Sequence, residues 1–270
     1  MRRPLMLIKH RFGRSPFPRR TLFYLHLPKT GGTSVARALT RSRRHSLLVS
    51  EKADTKQQVM DRLSSLSPQV LCRIRRVAGH RVFRELQGIF PGEPVFATSI
   101  RNPVDLYVSL YNFWVDLALD PSHQHYMRNQ QMMLKGTNPV PLIEWLESRD
   151  EWLHMYSRVL SRAEAGPDAP GIPLPEVTQL DIDRSKQFLR RCQFILETNM
   201  SSTDMPTFFE YCGISPPQKR ARVSKKHVRA VRGSSLWNVI EAIVRRRSES
   251  DLELYAFASE CRSNLAKCVG

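Results

Sequence analysis

Short apolar segments alternate along the chain with longer segments in which apolar residues recur every three or four positions. The short segments are rich in β-branched and aromatic residues and predict buried strands, and the longer ones predict helices with one buried face. The predicted strands are residues 21–27, 46–49, 70–78, 95–100 and 193–197. The predicted helices are a first one from residue 33, then 54–66, 81–87, 104–119, 141–149, 151–163, 180–191, 206–212, 235–247 and a last one that opens at 248–251.

Strands that alternate with helices predict an α/β fold, here a single P-loop-like domain with a central, mainly parallel sheet flanked by helices. A chain of 270 residues with 41% hydrophobic content can build such a core. We assign residues 21–270 to this domain. Residues 1–20 carry basic but no acidic side chains and are assigned to a basic N-terminal arm. The polar segment 120–139 is predicted to be a surface loop.

The first candidate site is the segment between the first predicted strand and the first predicted helix, residues 28–34, which we call the anion loop. A strand, a glycine turn and a helix start together offer free backbone N–H groups and the positive end of a helix dipole. Lysine adds a mobile point charge, and three hydroxyl groups add further donors. The candidate anion-binding residues are Lys29, Thr30, Gly31, Gly32, Thr33 and Ser34.

The order of residues in the anion loop is not that of a Walker A motif. That motif places its lysine after the glycines, in the pattern G-x-x-x-x-G-K-[ST], and no such string occurs in this chain. An ordinary ATP or GTP site is therefore disfavoured.

A second strand end is followed directly by Arg101, Asn102 and Pro103. Asparagine is a good helix N-cap and proline a good first helical residue, so a helix start is predicted here too. A guanidinium group at this place can hold a phosphate with two donors. Ser109 follows two helical turns later.

The string HLPKTGGTS, residues 26–34, resembles the 5′-phosphosulfate loop of sulfotransferases that use 3′-phosphoadenosine 5′-phosphosulfate (PAPS). It is most similar to the carbohydrate-directed sulfotransferase family 2, which includes the uronosyl and heparan 2-O-sulfotransferases. The resemblance implies that Arg101 and Ser109 bind the 3′-phosphate of PAPS. The segment Gly79-His80-Arg81-Val82-Phe83 resembles the family's G-H-x-x-[FY] setting, which implies that His80 is the catalytic base.

The mechanism that this resemblance implies is in-line sulfuryl transfer from PAPS to a hydroxyl group, most readily that of a carbohydrate. His80 would take the hydroxyl proton, since an imidazole titrates near working pH. Lys29 and the anion loop would stabilise the charge on the transferred group and the leaving oxygen. The family needs no metal, and we expect none here.

Weaker similarities extend the resemblance over most of residues 21–258. The basic loop at 216–233 lies where relatives close over the nucleotide, so Arg222 is a candidate cofactor contact, although its local match is poor. Glu197, at a strand end, is expected either to orient substrate or to cap the residues that follow it. His26, inside the first strand, is predicted to be structural.

The net charge of +17 indicates anionic partners. The sequence shows no helix-turn-helix, zinc-finger or RNA-binding signature, so no specific nucleic acid partner is predicted. Five scattered cysteines without a C-x-x-C pair favour a reducing compartment. The apolar run 5–8 is too short for a membrane span, whereas Golgi relatives carry an anchor. We therefore expect a cytoplasmic protein.

Two other functions stay open from the sequence. One is a nucleotide-dependent, kinase-like phosphotransferase, which the missing Walker A motif and the lack of a clear metal-binding acid disfavour. The other is a non-catalytic binder of anionic polymers that uses the basic arm and the basic loop. The acceptor is expected to carry a hydroxyl group, and the positive net charge favours an anionic one. It would be held by variable loops, for which residues 120–140 and 164–178 are the candidates.

Overall fold

The computed structural model describes residues 20–41, 45–49, 56–80, 82–123, 126–150, 153–165, 176–198, 204–217 and 227–269. Five strands form one parallel sheet in the order β2-β3-β1-β4-β7, and β5 and β6 form a small antiparallel pair. The predicted α/β fold with a mainly parallel sheet is thus confirmed. The strands are β1 (Arg20–Leu25), β2 (Ser46–Val49), β3 (Arg76–Gly79), β4 (Glu93–Ile100), β5 (Leu134–Lys135), β6 (Asn138–Pro139) and β7 (Cys192–Glu197).

Helices cover the sheet on both faces, as a parallel sheet requires. A 3-10 helix, Arg84–Gly88, precedes β4. The α-helices are α1 (Gly32–Thr40), α2 (Lys56–Ser64), α3 (Pro68–Leu71), α4 (Pro103–Ala118), α5 (Tyr126–Met133), α6 (Leu142–Ser148), α7 (Met155–Ala165), α8 (Gln179–Arg191), α9 (Asp204–Tyr211), α10 (Ser235–Arg247) and α11 (Glu249–Val269).

Strand β1 lies at the centre of the sheet and is buried on both faces. Leu22 and Tyr24 pack on one face with residues of α1 and α9. Phe23 and Leu25 pack on the other face with residues of α2, α7, α8 and α11. Alternate side chains of a strand point to opposite faces, so a continuous apolar run such as this one marks a strand with helices on both sides.

A second core lies beside the sheet, where α4 packs with α5, α6 and α10. Its fully buried residues include Tyr107 of α4, Met133 of α5, Trp145 of α6 and Ile240 of α10. This core holds α4 in place, and α4 begins directly after β4.

The carboxyl ends of β1 and β4 lie side by side, since the two strands are parallel neighbours with Leu25 paired to Thr98. The helix after β1 covers one face of the sheet, whereas α4 sends Leu106 into the core on the other face. In open parallel sheets, ligands bind at such a point, where successive connections leave to opposite sides. The fold therefore brings the two predicted anion sites to one place.

The predicted strand at 70–78 is wrong in its first part. Residues Pro68–Leu71 form a helical turn, because the Ser67 side chain accepts a hydrogen bond from the Val70 N–H and Pro68 is preorganised for a first helical position. The strand itself is only Arg76–Gly79. Local capping has here outweighed the β-propensity of the apolar residues.

The predicted surface loop at 120–139 is also wrong, because it contains α5 and the β5–β6 pair. Asn129 and Met133 of α5 are buried. The helix is polar overall, so its few core-facing residues gave no clear periodic pattern.

Residues 1–19 of the predicted basic arm, and Arg222 and most of the predicted acceptor loop 164–178, lie outside the described residues. Arg20 begins β1 and forms an ion pair with Glu93 of β4. Within the described part of the chain, no helix has the length and apolar character needed to cross a membrane.

Candidate anion site at the carboxyl edge of the sheet

The anion loop turns sharply between β1 and α1. Lys29 and Gly31 both adopt left-handed backbone conformations, with φ of 60° and 74°. The Thr30 hydroxyl donates to the Leu27 carbonyl at 2.9 Å, and the Ser34 N–H donates to the Gly31 carbonyl at 3.2 Å. Left-handed residues within a tight turn direct successive N–H groups into a concavity, which is a backbone anion site. Thr33 and Ser34 add the first turn of α1 to it.

Gly32 is the first residue of α1 and packs directly on the side chains of β1 and the residue after it. A Cβ atom here would overlap the His26 ring and lie 2.9 Å from the Tyr24 hydroxyl. Tyr24 is itself tied to Ser99 of β4 by a buried hydrogen bond. The anion loop therefore packs directly on the Tyr24 and His26 side chains, and only glycine lets its backbone approach them this closely.

Lys29 and Arg101, which are 72 residues apart in sequence, are in contact. The Arg101 Nη1 atom donates to the Lys29 carbonyl at 3.2 Å. The Lys29 Nζ atom lies 4.4 Å from the centroid of the Phe113 ring on α4. The two basic residues that the sequence singled out are thus in direct contact, through the Arg101 side chain and the Lys29 backbone.

The end of β4 is held in place by a helix cap and by a tyrosine. Asn102 is the N-cap of α4, its side chain accepting from the Val104 N–H at 3.0 Å, and Pro103 follows as predicted. The Tyr156 hydroxyl accepts from the Arg101 N–H at 2.7 Å and donates to the Arg101 carbonyl. The Arg101 backbone is therefore fixed from both sides.

Ser109 lies on α4, four residues before Phe113, and is partly buried. Residues four apart share one face of a helix, so Ser109 neighbours the ring on which the Lys29 ammonium rests. Asn112, on an adjacent position of α4, exchanges two hydrogen bonds of 2.9 Å with the Val228 backbone. The basic loop is thus joined to α4, through Val228, within one turn of Ser109.

Thr198 is a site residue that the sequence analysis missed. It directly follows β7, and its hydroxyl lies within donating distance of two carbonyls, 3.0 Å from that of Thr30 and 2.9 Å from that of Ile100. Its sequence context gives no signal, since a lone threonine after a strand is common. Only the pairing of β7 with β4 brings it to the anion loop.

His80 follows β3 and stacks on His26, with 4.0 Å between ring centroids and 28° between ring planes. The stack follows from the register, because β1 and β3 are parallel with Leu25 paired to Gly79, and the next pair is His26 with His80. Burial, and secondarily the nearby His80, lower the pKa of His26 to about 3. His26 is therefore a neutral, buried imidazole that supports both His80 and Gly32.

Glu197, at the end of β7, is engaged in structural contacts. It accepts from the Tyr255 hydroxyl at 3.0 Å and from Arg262 at 2.5 Å. Arg262 also pairs with Asp204 of α9 at 2.7 Å. These contacts tie α11 to the sheet. Residues 199–202, which Glu197 was expected to cap, lie outside the described residues, and a role of Glu197 in orienting substrate stays a prediction.

The site therefore combines a backbone anion cradle, a lysine, an arginine at an adjacent strand end and a stacked imidazole pair. The pair is formed by His26, directly after β1, and His80, directly after the neighbouring strand β3. Such an arrangement can hold two anionic groups of one ligand and can move a proton beside them. Among the described residues, no group of three or more His, Cys, Asp or Glu side chains is placed to hold a metal ion.

Comparisons with known proteins show a distant likeness to solved structures. No protein-family model matches the chain, and no curated protein matches it. Among solved structures, the chain is similar to mouse sulfotransferase SULT7A1 complexed with PAP, with 16% sequence identity and a TM-score of 0.33. The match covers 87% of this chain and 65% of that protein, just under two thirds of its length.

Proposed function

We propose that this protein is a PAPS-dependent sulfotransferase that transfers a sulfuryl group to a hydroxyl group of a carbohydrate. The proposal rests on the PAPS-loop resemblance of residues 26–34 and on one structural observation, the 3.2 Å contact between Arg101 Nη1 and the Lys29 carbonyl. That contact joins the two sequence motifs into a single site.

The donor matches a site with two adjoining anion-binding parts. PAPS carries a phosphosulfate on the 5′ side and a phosphate on the 3′ side of one ribose, so its two anionic ends are only a sugar apart. We assign the 5′ end to Lys29 and the backbone and hydroxyl groups of the anion loop. Arg101 and Ser109 are assigned to the 3′-phosphate. Arg222 is assigned to the nucleotide only by its place in the basic loop.

In the proposed reaction, His80 takes the proton of the acceptor hydroxyl as its oxygen attacks sulfur. The new oxygen–sulfur bond forms while the bond from sulfur to the bridging oxygen of the phosphosulfate breaks, and 3′,5′-phosphoadenosine (PAP) leaves. Lys29 and the loop N–H groups stabilise the negative charge that develops on the bridging oxygen. His26 stays neutral beneath this proton transfer, because its pKa is about 3.

The carbohydrate class of the acceptor is supported by the similarity of residues 26–34 to the family 2 loop and by the G-H-x-x-F setting of His80. The net charge of +17 suits an acceptor that is itself anionic, such as a uronic acid polymer.

The first test is calorimetric titration of the protein with PAP, and with ATP as comparison, in the absence of magnesium. We expect one-to-one binding of PAP, much weaker binding of ATP, and loss of PAP binding in Arg101→Ala. Arg245→Ala is the matched control, because Arg245 is exposed on α10 and pairs with Glu241. Equal binding of both nucleotides would favour a generic anion cradle or a kinase-like enzyme, and no binding would favour a polymer binder.

The second test is transfer of labelled sulfate from PAPS to a panel of acceptors, comprising unsulfated uronic acid polymers, neutral glycans and simple phenols. We expect the parent protein to transfer sulfate to a glycan. Lys29→Ala should lose this transfer activity, and His80→Ala should lose it while keeping its affinity for PAP. Transfer to phenols alone would replace the carbohydrate assignment. A fully active His80→Ala variant would remove His80 as the base.

A further inference from the structure

Thr198 touches both predicted anion sites without belonging to either motif. Its hydroxyl lies 3.0 Å from the Thr30 carbonyl of the anion loop and 2.9 Å from the Ile100 carbonyl at the end of β4. Its methyl group faces Gly31, where a Cβ atom would lie 3.4 Å from Thr198 Cγ2. One side chain, directly after the last strand of the sheet, therefore contacts the loop after the central strand.

The two carbonyls that the Thr198 hydroxyl contacts differ in whether Thr198 offers them a second donor. The Thr198 backbone N–H already donates to the Ile100 carbonyl at 3.0 Å, so this carbonyl keeps a partner without the hydroxyl. For the Thr30 carbonyl, in contrast, the hydroxyl is the Thr198 group that donates a hydrogen bond, and the Thr198 N–H is engaged with Ile100. The distinctive contribution of the hydroxyl is therefore to the peptide between Thr30 and Gly31.

Holding the Thr30 carbonyl also sets the direction of the next N–H group. A trans peptide is planar, with its N–H pointing opposite to its C=O. When Thr198 holds the Thr30 carbonyl on its own side, the Gly31 N–H must point away from Thr198. Gly31 has a φ of 74° and no Cβ atom, so the backbone on its N-terminal side can rotate easily, and a hydrogen bond that fixes this peptide matters.

We infer that Thr198 is a positioning residue that orients the Gly31 N–H for the 5′ anionic group of the nucleotide. This inference rests on the proposed function, since it concerns the same site. Thr198 acts through the loop backbone, and the groups that touch the ligand are those of the anion loop.

The variants that test this are Thr198→Val, which removes the hydroxyl and keeps the branched shape, and Thr198→Ser, which keeps the hydroxyl. Thr98→Val is the matched control, because the buried Thr98 hydroxyl donates at 3.0 Å to the carbonyl of Leu25, which belongs to β1 and not to the anion loop. Thermal unfolding checks that each variant is folded. If Thr198→Val does not fold, Thr198→Ala carries the same expectation.

The measurement is the affinity of each variant for PAP, with adenosine 5′-phosphate and adenosine 3′-phosphate measured by displacement of PAP. We expect Thr198→Val to bind PAP and the 5′-phosphate about tenfold more weakly, which corresponds to about 1.4 kcal/mol, and to bind the 3′-phosphate unchanged. Thr198→Ser and Thr98→Val should bind all three like the parent protein.

Three results would overturn the inference: unchanged PAP affinity in Thr198→Val, equal weakening of the 5′- and 3′-phosphates, or no restoration by serine. A parent protein that binds no PAP would instead overturn the proposed function, and the inference with it. The two failures are distinguishable because the first appears only in the variants and the second already in the parent.

Discussion

The Tyr156 hydroxyl contacts both backbone polar groups of Arg101, accepting from its N–H at 2.7 Å and donating to its carbonyl. Arg101 directly follows β4, so these groups leave the sheet at the point where the chain turns into α4. A buried side chain thus completes the hydrogen bonding of the strand end. The Tyr156 N–H in turn donates to Asp251 of α11 at 2.9 Å, which links the site to the helical layer.

Tyr156→Phe should lower the free energy of unfolding by about 1–3 kcal/mol, because it leaves two partly buried backbone groups without the hydroxyl. Given the proposed function, it should also weaken PAP binding severalfold, since Arg101 loses its fixed position. Urea unfolding and calorimetry measure the two effects. Tyr111→Phe is the control, because the Tyr111 hydroxyl donates to the Val140 carbonyl in the second core. Tyr111→Phe should lower the free energy of unfolding without changing PAP binding. A Tyr156→Phe protein with unchanged stability and PAP affinity would contradict the role of the Tyr156 hydroxyl in holding Arg101.

Gly32→Ala should destabilise the protein by about 2 kcal/mol or more, because the new methyl group would overlap the His26 ring and crowd the Tyr24 hydroxyl. Gly88→Ala is the control, since a Cβ atom there meets nothing within 4 Å. It should change the unfolding free energy by less than about 0.5 kcal/mol. Equal stability of the two variants would show that Gly32 does not pack as closely on His26 and Tyr24 as the structure indicates.

His26 should make the protein less stable in acid. Its pKa is lowered from 6.5 to about 3, so the unfolded chain binds a proton that the folded chain excludes, and stability falls as the pH drops from 6.5 towards 3. Between pH 7.5 and pH 5 this amounts to about 2 kcal/mol. Urea unfolding of the parent and of His26→Asn at both pH values measures it. The variant should lose less stability on acidification, and parallel losses would contradict the assignment.

Asp251 should act in the opposite direction. Burial raises its pKa from 3.8 to about 6, so its contribution to stability falls as the pH rises from 3.8 through 6. Its oxygens accept from the Tyr107 hydroxyl at 2.7 Å and from the Tyr156 and Ser157 N–H groups at 2.9 and 3.3 Å. These bonds make the buried carboxylate a cap for α7 that comes from another helix.

Asp251→Ala should therefore lower the unfolding free energy by about 3 kcal/mol or more, because three buried donors lose their acceptor. Asp251→Asn should cost less, since its amide oxygen still accepts from the α7 N–H groups, and its stability relative to the parent should improve as the pH rises from 4 to 7. Urea unfolding across this range provides the measurement. A relative stability that does not change with pH would show that Asp251 has an ordinary pKa.

Local sequence patterns predicted the parts of the fold that depend on neighbouring residues. The bounds of α10 match the prediction, 235–247, and α4 starts at Pro103 behind its Asn102 cap. The anion loop was predicted from its glycines and hydroxyls, because a strand, a tight turn and a helix start are all decided within a dozen residues. The roles of Lys29, Ser109 and His80 in binding and catalysis stay predictions.

Tertiary structure decided what meets at the site. The strand order places β1 between β3 and β4, and this order alone brings Arg101 to Lys29 and His26 to His80. Thr198 and Tyr156 carry no recognisable motif, and each acts through a hydrogen bond to a residue more than 50 positions away. A sequence read locally predicts turns and helix ends, whereas contacts between strand ends depend on how the whole sheet is assembled, and only the folded chain shows them.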